Sequence, residues 1–272
     1  MGPMVENPVL TKEMRSRMRG ARGPVIQLAY VALIIALSAI MYGIFKVERM
    51  GGGGGPYNTR QAAEFGHMLF IGISVLQASM VCLLAPAFTS AAITGEREQR
   101  SLDMLLVTKL RPRSILLGKL GSALSYIGLL IVSSIPVLSV CFLFGGVSPA
   151  ELICTYVLIA TTGVFFGLTG LFWSCVFHRT MQATAAAYAT VALLCIVVTV
   201  LDIVLDEFVW NTNAPVLSCI NPLMGLASIF EEPAGGSFSL LGVPFWVVTI
   251  VSQVLAMPVL LLISVALLRR RQ

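Results

Sequence analysis

Residues 94–119 read TGEREQRSLDMLLVTKLRPRSILLGK and form the most charged stretch of an otherwise apolar chain. Six basic and three acidic side chains fall within it, and long uncharged apolar runs lie on both sides. The chain is 57% hydrophobic and 11% charged, with a mean hydropathy of +0.90, whereas soluble domains carry about 25% charged residues. This composition predicts a polytopic membrane protein of one domain, with residues 94–119 as its main water-facing segment.

A short amphipathic helix is predicted within this stretch, over residues 101–108. Ser101 is a suitable N-cap, and Asp103 falls in the first turn, where the helix dipole favours negative charge. Pro112 disfavours helical conformation in the residue before it and is expected to end the segment. Three apolar side chains recur at i, i+3 and i+4 and therefore share one face: Leu102, Leu105 and Leu106. A basic loop with incidental leucines is the alternative.

Residues 83–120 resemble the second span and coupling region of ABC-2 type transporter permeases. That family's usual pattern has a proline near a helix end, followed by E-R-E, G-T-L-E-x-L-L, T-P-L and L-G-K. Arg100 replaces the glycine of this pattern, and Lys109 replaces the proline of its T-P-L. The resemblance implies that eight residues couple this chain to an ATPase: Glu96, Arg97, Glu98, Ser101, Leu102, Asp103, Leu105 and Leu106.

The opening segment, residues 1–24, is predicted to be an amphipathic helix that lies in the membrane interface. Its basic face would meet lipid headgroups through Lys12, Arg15 and Arg19. Gly23 and Pro24 are expected to break the helix before the first span, and a disordered basic tail is the alternative. The opening NPVLTKEMRSRMRG is similar to the start of one bacterial subgroup of the ABC-2 family, which has an elbow helix at this position.

Six apolar runs are long enough to span a membrane, and they cover about residues 25–45, 67–92, 119–144, 152–177, 181–203 and 243–268. With both termini placed in the cytoplasm, 15 of the 18 Lys and Arg residues lie inside, as the positive-inside rule favours. The predicted fold is therefore an all-α polytopic membrane domain over residues 1–272, with six transmembrane helices and residues 94–118 as a cytoplasmic coupling segment.

Two connections and one helix face have a predicted role. Residues 46–64 contain five successive glycines and should form a flexible loop. Residues 206–242 are too apolar for an ordinary loop of their length, and Asn221-Pro222 can begin a short helix there. The ABC-2 resemblance implies an extracytoplasmic re-entrant segment at this place, whereas a loop resting on lipid is the alternative. In span 4, small residues would let neighbouring helices approach closely: Gly163, Gly167 and Gly170.

The sequence contains no arrangement of residues typical of an enzyme, a metal site or a nucleotide site. The glycine run is not followed by Lys-Ser or Lys-Thr, and the six cysteines are scattered. Asp202, near the end of span 5, is expected to be a solvated helix end, although an intramembrane carboxylate is a functional candidate. Gln77 and Gln253 lie within spans, where they could bond across helices or line a path.

The resemblance implies the permease subunit of an ATP-driven ABC-2 exporter, a multi-pass protein of the bacterial inner membrane. ATP and Mg would then be bound by a separate cytoplasmic ABC ATPase, and no cofactor by this chain. A second permease would complete a homodimer or heterodimer in the lipid membrane. No nucleic-acid partner is expected, because the basic residues flank apolar spans. The rival hypothesis is a membrane scaffold or sensor that recruits a cytoplasmic regulator and transports nothing.

Overall fold

The computed structural model describes residues 22–51, 59–98, 112–205, 217–231, 239–240 and 243–269. The predicted helix at 101–108 lies outside these residues, and so does the interfacial helix up to residue 21. The described elements are α1 (Arg22–Gly51), α2 (Thr59–Ser90), α3 (Thr94–Glu98), α4 (Pro112–Phe144), α5 (Pro149–Val176), α6 (Thr180–Ala192), a π-turn (Leu193–Val197), α7 (Val198–Leu205), a 3-10 turn (Leu217–Ile220), α8 (Pro222–Glu231), β1 (Ser239–Leu240), β2 (Val243–Pro244) and α9 (Phe245–Arg269). The two short strands pair in antiparallel fashion.

Six stretches of the described chain are helical, long and apolar enough to cross a membrane. Spans 1, 3, 4 and 6 are α1, α4, α5 and α9, while span 2 is α2 with α3, and span 5 is α6, the π-turn and α7. Large apolar side chains stand exposed on the outer faces, including Leu28 at 69% and Met181 at 85%. Such faces are stable against lipid, whereas their exposure to water would be unfavourable. The predicted all-α polytopic membrane fold is confirmed.

Spans 2 and 4 form the centre of the bundle. In their most apolar stretches 50% and 56% of the residues are buried, compared with 11% in spans 1 and 5. Ala78 and Val81 of span 2 pack in one apolar cluster with Leu158, Ile159 and Phe166 of span 4. Spans 1 and 5 therefore lie at the periphery of this chain.

Glycine lets span 4 lie close to spans 2 and 3. A Cβ atom at Gly170 would collide with Thr89 Oγ1 and lie 2.9 Å from the backbone Cα of Pro86. At Gly163 it would lie 3.2 Å from Val81 Cγ1, a tight contact. At Gly167 it would meet nothing nearer than 3.5 Å, which is ordinary van der Waals contact. The requirement for glycine is therefore strongest at Gly170.

Several helices extend beyond the apolar runs that predicted them. Span 1 begins at Arg22 and reaches Gly51, and α2 begins at Thr59, so most of the predicted loop 46–64 is helical. An Arg60–Glu64 pair at 3.3 Å supports the first turns of α2 at i, i+4 spacing. Pro24 and Pro112 lie in the first turns of their helices, where the missing N–H has no intrahelical partner to lose. Span 3 thus begins seven residues earlier than predicted.

A capping box fixes the start of span 4. The Ser148 hydroxyl accepts from the Glu151 N–H at 3.2 Å, and the Glu151 carboxylate accepts from the Ser148 N–H. The preceding Gly145 and Gly146 have φ of +79° and +86°, a backbone conformation that other residues rarely adopt. The connection therefore reverses the chain within a few residues and sets span 4 beside span 3.

Candidate functional site

Three consecutive charged residues at the end of span 2 each bind a different part of the bundle. Glu96, Arg97 and Glu98 form the last residues of α3, directly before residues 99–111. Spans 3, 4 and 5 also have an end at this place, because consecutive spans run in opposite directions. We call Glu96, Arg97 and Glu98 together with their partners the clamp.

The first clamp bond joins span 2 to span 3. Lys119 Nζ donates to Glu96 Oε1 at 2.7 Å, and the lysine side chain is only 3% exposed. The glutamate is 21% exposed, so the pair is closed to water on the lysine side. Burying an ammonium group is costly unless an anion accompanies it. Glu96 therefore accounts for the presence of a lysine at the apolar start of span 3.

The second bond joins span 2 to the end of span 4. Arg97 Nη1 donates to the carbonyl oxygen of Phe177 at 2.8 Å, and its Nη2 donates to that of Cys175 at 3.4 Å. Carbonyl groups in the last turn of a helix have no intrahelical donor, and the helix dipole places negative partial charge there. The Arg97 guanidinium group supplies the missing donors and places a positive charge beside the negative end of the helix dipole.

The third bond joins span 2 to the start of span 5. Glu98 Oε1 accepts from the Thr180 N–H at 2.8 Å. Arg179, the N-cap residue of this helix, makes no side-chain capping bond of its own. A carboxylate is favoured at a helix N-terminus by the free N–H groups and by the dipole. Glu98 therefore caps span 5 from outside that helix.

Two hydroxyl groups complete the clamp. Ser174 Oγ of span 4 accepts from the N–H groups of Ile93 and Thr94, at 2.9 and 3.1 Å, and so caps the turn into α3. Ser90 Oγ lies 2.9 Å from Thr184 Oγ1 of span 5. With these contacts, side-chain hydrogen bonds connect the end of span 2 to spans 3, 4 and 5. The clamp therefore joins four helices at one end of the bundle.

The sequence predicted some of these residues but not their contacts. Glu96, Arg97 and Glu98 were expected to serve ATPase coupling, and the structure gives them intramolecular partners. The remaining coupling residues lie outside the described residues: Ser101, Leu102, Asp103, Leu105 and Leu106. Sequence reasoning missed Lys119, Ser174 and Thr180 as partners. A lysine at the edge of an apolar span is the one signal that could have indicated a buried ion pair.

At the opposite end of the bundle, Asp202 is buried. It is 2% exposed, and its two carboxylate oxygens accept from the N–H groups of Leu217 and Ser218 at 3.1 and 3.0 Å. The expectation of a solvated helix end was therefore wrong. The physical reason is that the chain folds back after span 5, so that free N–H groups at the start of a 3-10 turn replace water around the carboxylate.

The segment Leu217–Glu231, which we call the re-entrant segment after its predicted role, is held by span 6 as well. Ser252 Oγ donates to the carbonyl of Cys219 at 2.8 Å, and Gln253 Nε2 donates to that of Ile220 at 3.2 Å. Gln253 Oε1 accepts from Thr162 Oγ1 of span 4 at 3.3 Å. The predicted helix beginning at Pro222 is present as α8. Gln253 thus bonds across helices, one of the two roles considered for it.

Gln77 also bonds across helices, at the centre of the bundle. Its Oε1 accepts from Ser134 Oγ of span 3 at 3.0 Å, and that hydroxyl lies 3.2 Å from the Tyr156 hydroxyl of span 4. Gln77 and Ser134 are buried and Tyr156 is half-buried, and an unpaired polar group in the apolar interior is costly. The polar contacts therefore fix spans 2, 3 and 4 against one another.

Comparison with known proteins agrees with this architecture. The family model for the ABC-2 family transporter protein matches residues 8–272, which is nearly the whole chain. No curated protein sequence matches it. Six apolar spans and a family match over this length show a multi-pass membrane protein with a permease role in an ABC transporter. The chain therefore belongs to the ABC-2 family of transporter proteins.

Proposed function

We propose that the chain is the membrane-spanning subunit of an ATP-driven exporter and that a cytoplasmic ABC ATPase binds residues 99–111. The clamp is the observation that carries this proposal. Residues 99–111 begin after Glu98 and end where span 3 begins, and Glu96 is bonded to Lys119 of that span. A force applied to this segment would therefore reach spans 2 and 3 together.

The charged triad and the leucines have different roles in this proposal. Glu96, Arg97 and Glu98 use their side chains within the chain, so they anchor the segment rather than dock it. The three leucines at 102, 105 and 106 would instead contact the ATPase. Burial of one leucine side chain is worth about 1.5–3 kcal/mol, so a partner that covers this apolar face gains affinity. Arg97 and Glu98 then carry the movement to the ends of spans 4 and 5.

The other parts of the proposal follow from the family. ATP and Mg would be bound and hydrolysed in the ATPase, while this chain binds no cofactor and catalyses no reaction. A second permease, identical or different, would complete the membrane domain. We place the protein in a bacterial inner membrane with both termini in the cytoplasm, because 15 of its 18 Lys and Arg residues then lie inside.

The orientation is tested by thiol labelling of intact cells. In a variant that lacks the six native cysteines, Gly53→Cys and Ala150→Cys should react with a membrane-impermeant maleimide, and Arg111→Cys should react only after the cells are opened. Ala150 is exposed and leaves the Ser148 cap intact. Labelling of Arg111→Cys in sealed cells would reverse the orientation and place the clamp outside.

ATPase docking is tested by Leu105→Asp. An ionised carboxylate in a docked apolar interface costs several kcal/mol if it stays unpaired. We expect this variant to insert in the membrane at the normal level and to lose the ABC ATPase that copurifies with the unaltered chain. The measurement is affinity purification from native membranes, with identification of the ATPase by mass spectrometry and assay of ATP hydrolysis.

Arg111→Ala is the matched control, because a charge at the rim of an interface mainly affects association rate and salt dependence. It should retain the ATPase at moderate ionic strength. If Leu105→Asp retains the ATPase as well, residues 101–108 are not the docking element. If the ATPase binds the unaltered chain but its hydrolysis never responds to the permease, the scaffold hypothesis replaces export.

A further inference from the structure

Span 5 contains a break in its helical ladder. Between α6 and α7 the backbone forms a π-turn at Leu193–Val197, and the Val198 N–H donates to the Leu193 carbonyl, five residues back rather than four. A π-turn holds one residue more than the α-helical turn it replaces. It therefore rotates the helix beyond it by about 100° relative to an unbroken α-helix.

The re-entrant segment binds this turn directly. Asn221 Nδ2 donates to the Cys195 carbonyl, inside the π-turn, at 3.2 Å, and also to Thr199 Oγ1. Asn221 is 1% exposed, and its Oδ1 accepts from the Leu223 N–H at 2.9 Å, which caps α8. One amide side chain therefore joins the π-turn of span 5 to the start of the re-entrant helix.

A second contact depends on the same helical register. Asp202 lies beyond the π-turn, in α7, and binds the N–H groups of Leu217 and Ser218. A rotation of α7 by about 100° would turn the carboxylate away from both groups. The Asn221 and Asp202 contacts therefore both stabilise the π-turn form of span 5.

The far end of span 5 is held as well. Glu98 of the clamp binds the Thr180 N–H, at the first residue of α6. Span 5 is thus fixed to span 2 at one end and to the re-entrant segment at the other. A twist between these two ends must change the backbone between them. The π-turn is the expected place, because its hydrogen bonding already departs from the i to i−4 pattern of the α-helix.

We propose that span 5 is a two-register switch and that Asn221 and Asp202 are the positioning residues that hold it in the π-turn form. In the second register the turn becomes regular α-helix, α7 rotates by about 100°, and the re-entrant segment separates from span 5. The re-entrant segment stays attached to span 6 through Ser252 and Gln253. The role of this switch in transport rests on the proposed function, whereas the switch itself is a property of this chain.

Pulsed EPR distances test the switch in the purified chain in lipid nanodiscs. Spin labels are placed at Ile153→Cys in span 4 and Ile203→Cys in α7, which are both exposed, after the native cysteines are replaced. Cys195 supplies only its backbone carbonyl to the Asn221 bond, so its replacement preserves that bond. We expect one distance in this labelled background. Asn221→Ser keeps a good helix cap but loses the amide donor. It should add a second distance. A 100° rotation at the surface of a helix about 10–12 Å wide displaces the label by about 8 Å, so the two distances differ by up to that amount.

Deletion of Leu194 is the matched control. It removes the extra residue, so span 5 can form regular α-helix while Asp202 keeps its orientation. Asn221→Ser should then produce no second distance. If Asn221→Ser gave a second distance in both backgrounds, Asn221 would anchor the re-entrant segment without holding a helical register. If Asn221→Ser gave a single distance in the full-length chain, the switch would be overturned. The experiment contains no ATPase, so failure of ATPase docking would leave its result unchanged.

Discussion

Gly170→Ala is expected to destabilise the membrane domain by about 1–3 kcal/mol, the usual cost of overpacking a closed interior. The added methyl group would collide with Thr89 Oγ1 and lie 2.9 Å from Pro86 Cα and 3.0 Å from Pro86 O. Thr89 can change rotamer, but Pro86 presents its backbone and cannot move without displacing span 2. The loss is measured as a lower midpoint of unfolding in SDS titration of mixed micelles.

Gly167→Ala, one turn earlier on the same helix, is the control. Its methyl group would meet Leu120 and Leu124 at 3.5 Å, so it fits without displacement. Both substitutions gain the same helix propensity, about 0.8–1 kcal/mol for alanine over glycine. Gly167→Ala should therefore be neutral or slightly stabilising. Equal midpoints for the two variants would show that spans 2 and 4 separate easily at Gly170 and that the close contact contributes little.

The six spans could be predicted from the sequence because lipid leaves few alternatives. Every backbone group within a bilayer must find a partner in the protein, so an apolar run of about 20 residues becomes a helix. The helix ends were predicted less well. Hydropathy reports the apolar stretch, whereas α2 and α4 continue to Thr59 and Pro112, in more polar sequence. Favourable first turns, with an i, i+4 ion pair or a proline, set those ends.

The contacts of the functional residues were beyond prediction for a different reason. The partners of Arg97, Glu98 and Asp202 are backbone carbonyl or N–H groups that lie outside the helix of each side chain, and such groups carry no residue-specific pattern. No particular amino-acid composition marks the π-turn in span 5 either. Asn221-Pro222 was different, since an N-cap followed by proline is a local signal, and the helix it predicted is present.

Lys119→Met is expected to destabilise the protein strongly, because it breaks the buried ion pair of the clamp. The substitution removes the ammonium group that lies 2.7 Å from Glu96 Oε1. The Glu96 carboxylate, which is 21% exposed, then lacks this counter-charge. Loss of one partner from a buried ion pair costs about 3–5 kcal/mol, and the partial exposure of Glu96 favours the lower end of this range. SDS titration of the purified variant gives the change in unfolding free energy. Glu96→Gln should also be destabilising, because Lys119, at 3% exposure, then faces a neutral amide.

The double variant Glu96→Gln with Lys119→Met separates the pair from its surroundings. Replacing both members of a buried ion pair is often close to neutral, because the cost of desolvating two charges disappears together with their attraction. The double variant should therefore be more stable than the Lys119→Met variant, with a coupling free energy of about 0.5–3 kcal/mol in the double-mutant cycle. If the two single losses simply add, the bond between spans 2 and 3 contributes no stability. The clamp would then hold span 2 through Arg97, Glu98 and the two hydroxyl contacts, and movement of residues 99–111 would reach spans 4 and 5 rather than span 3.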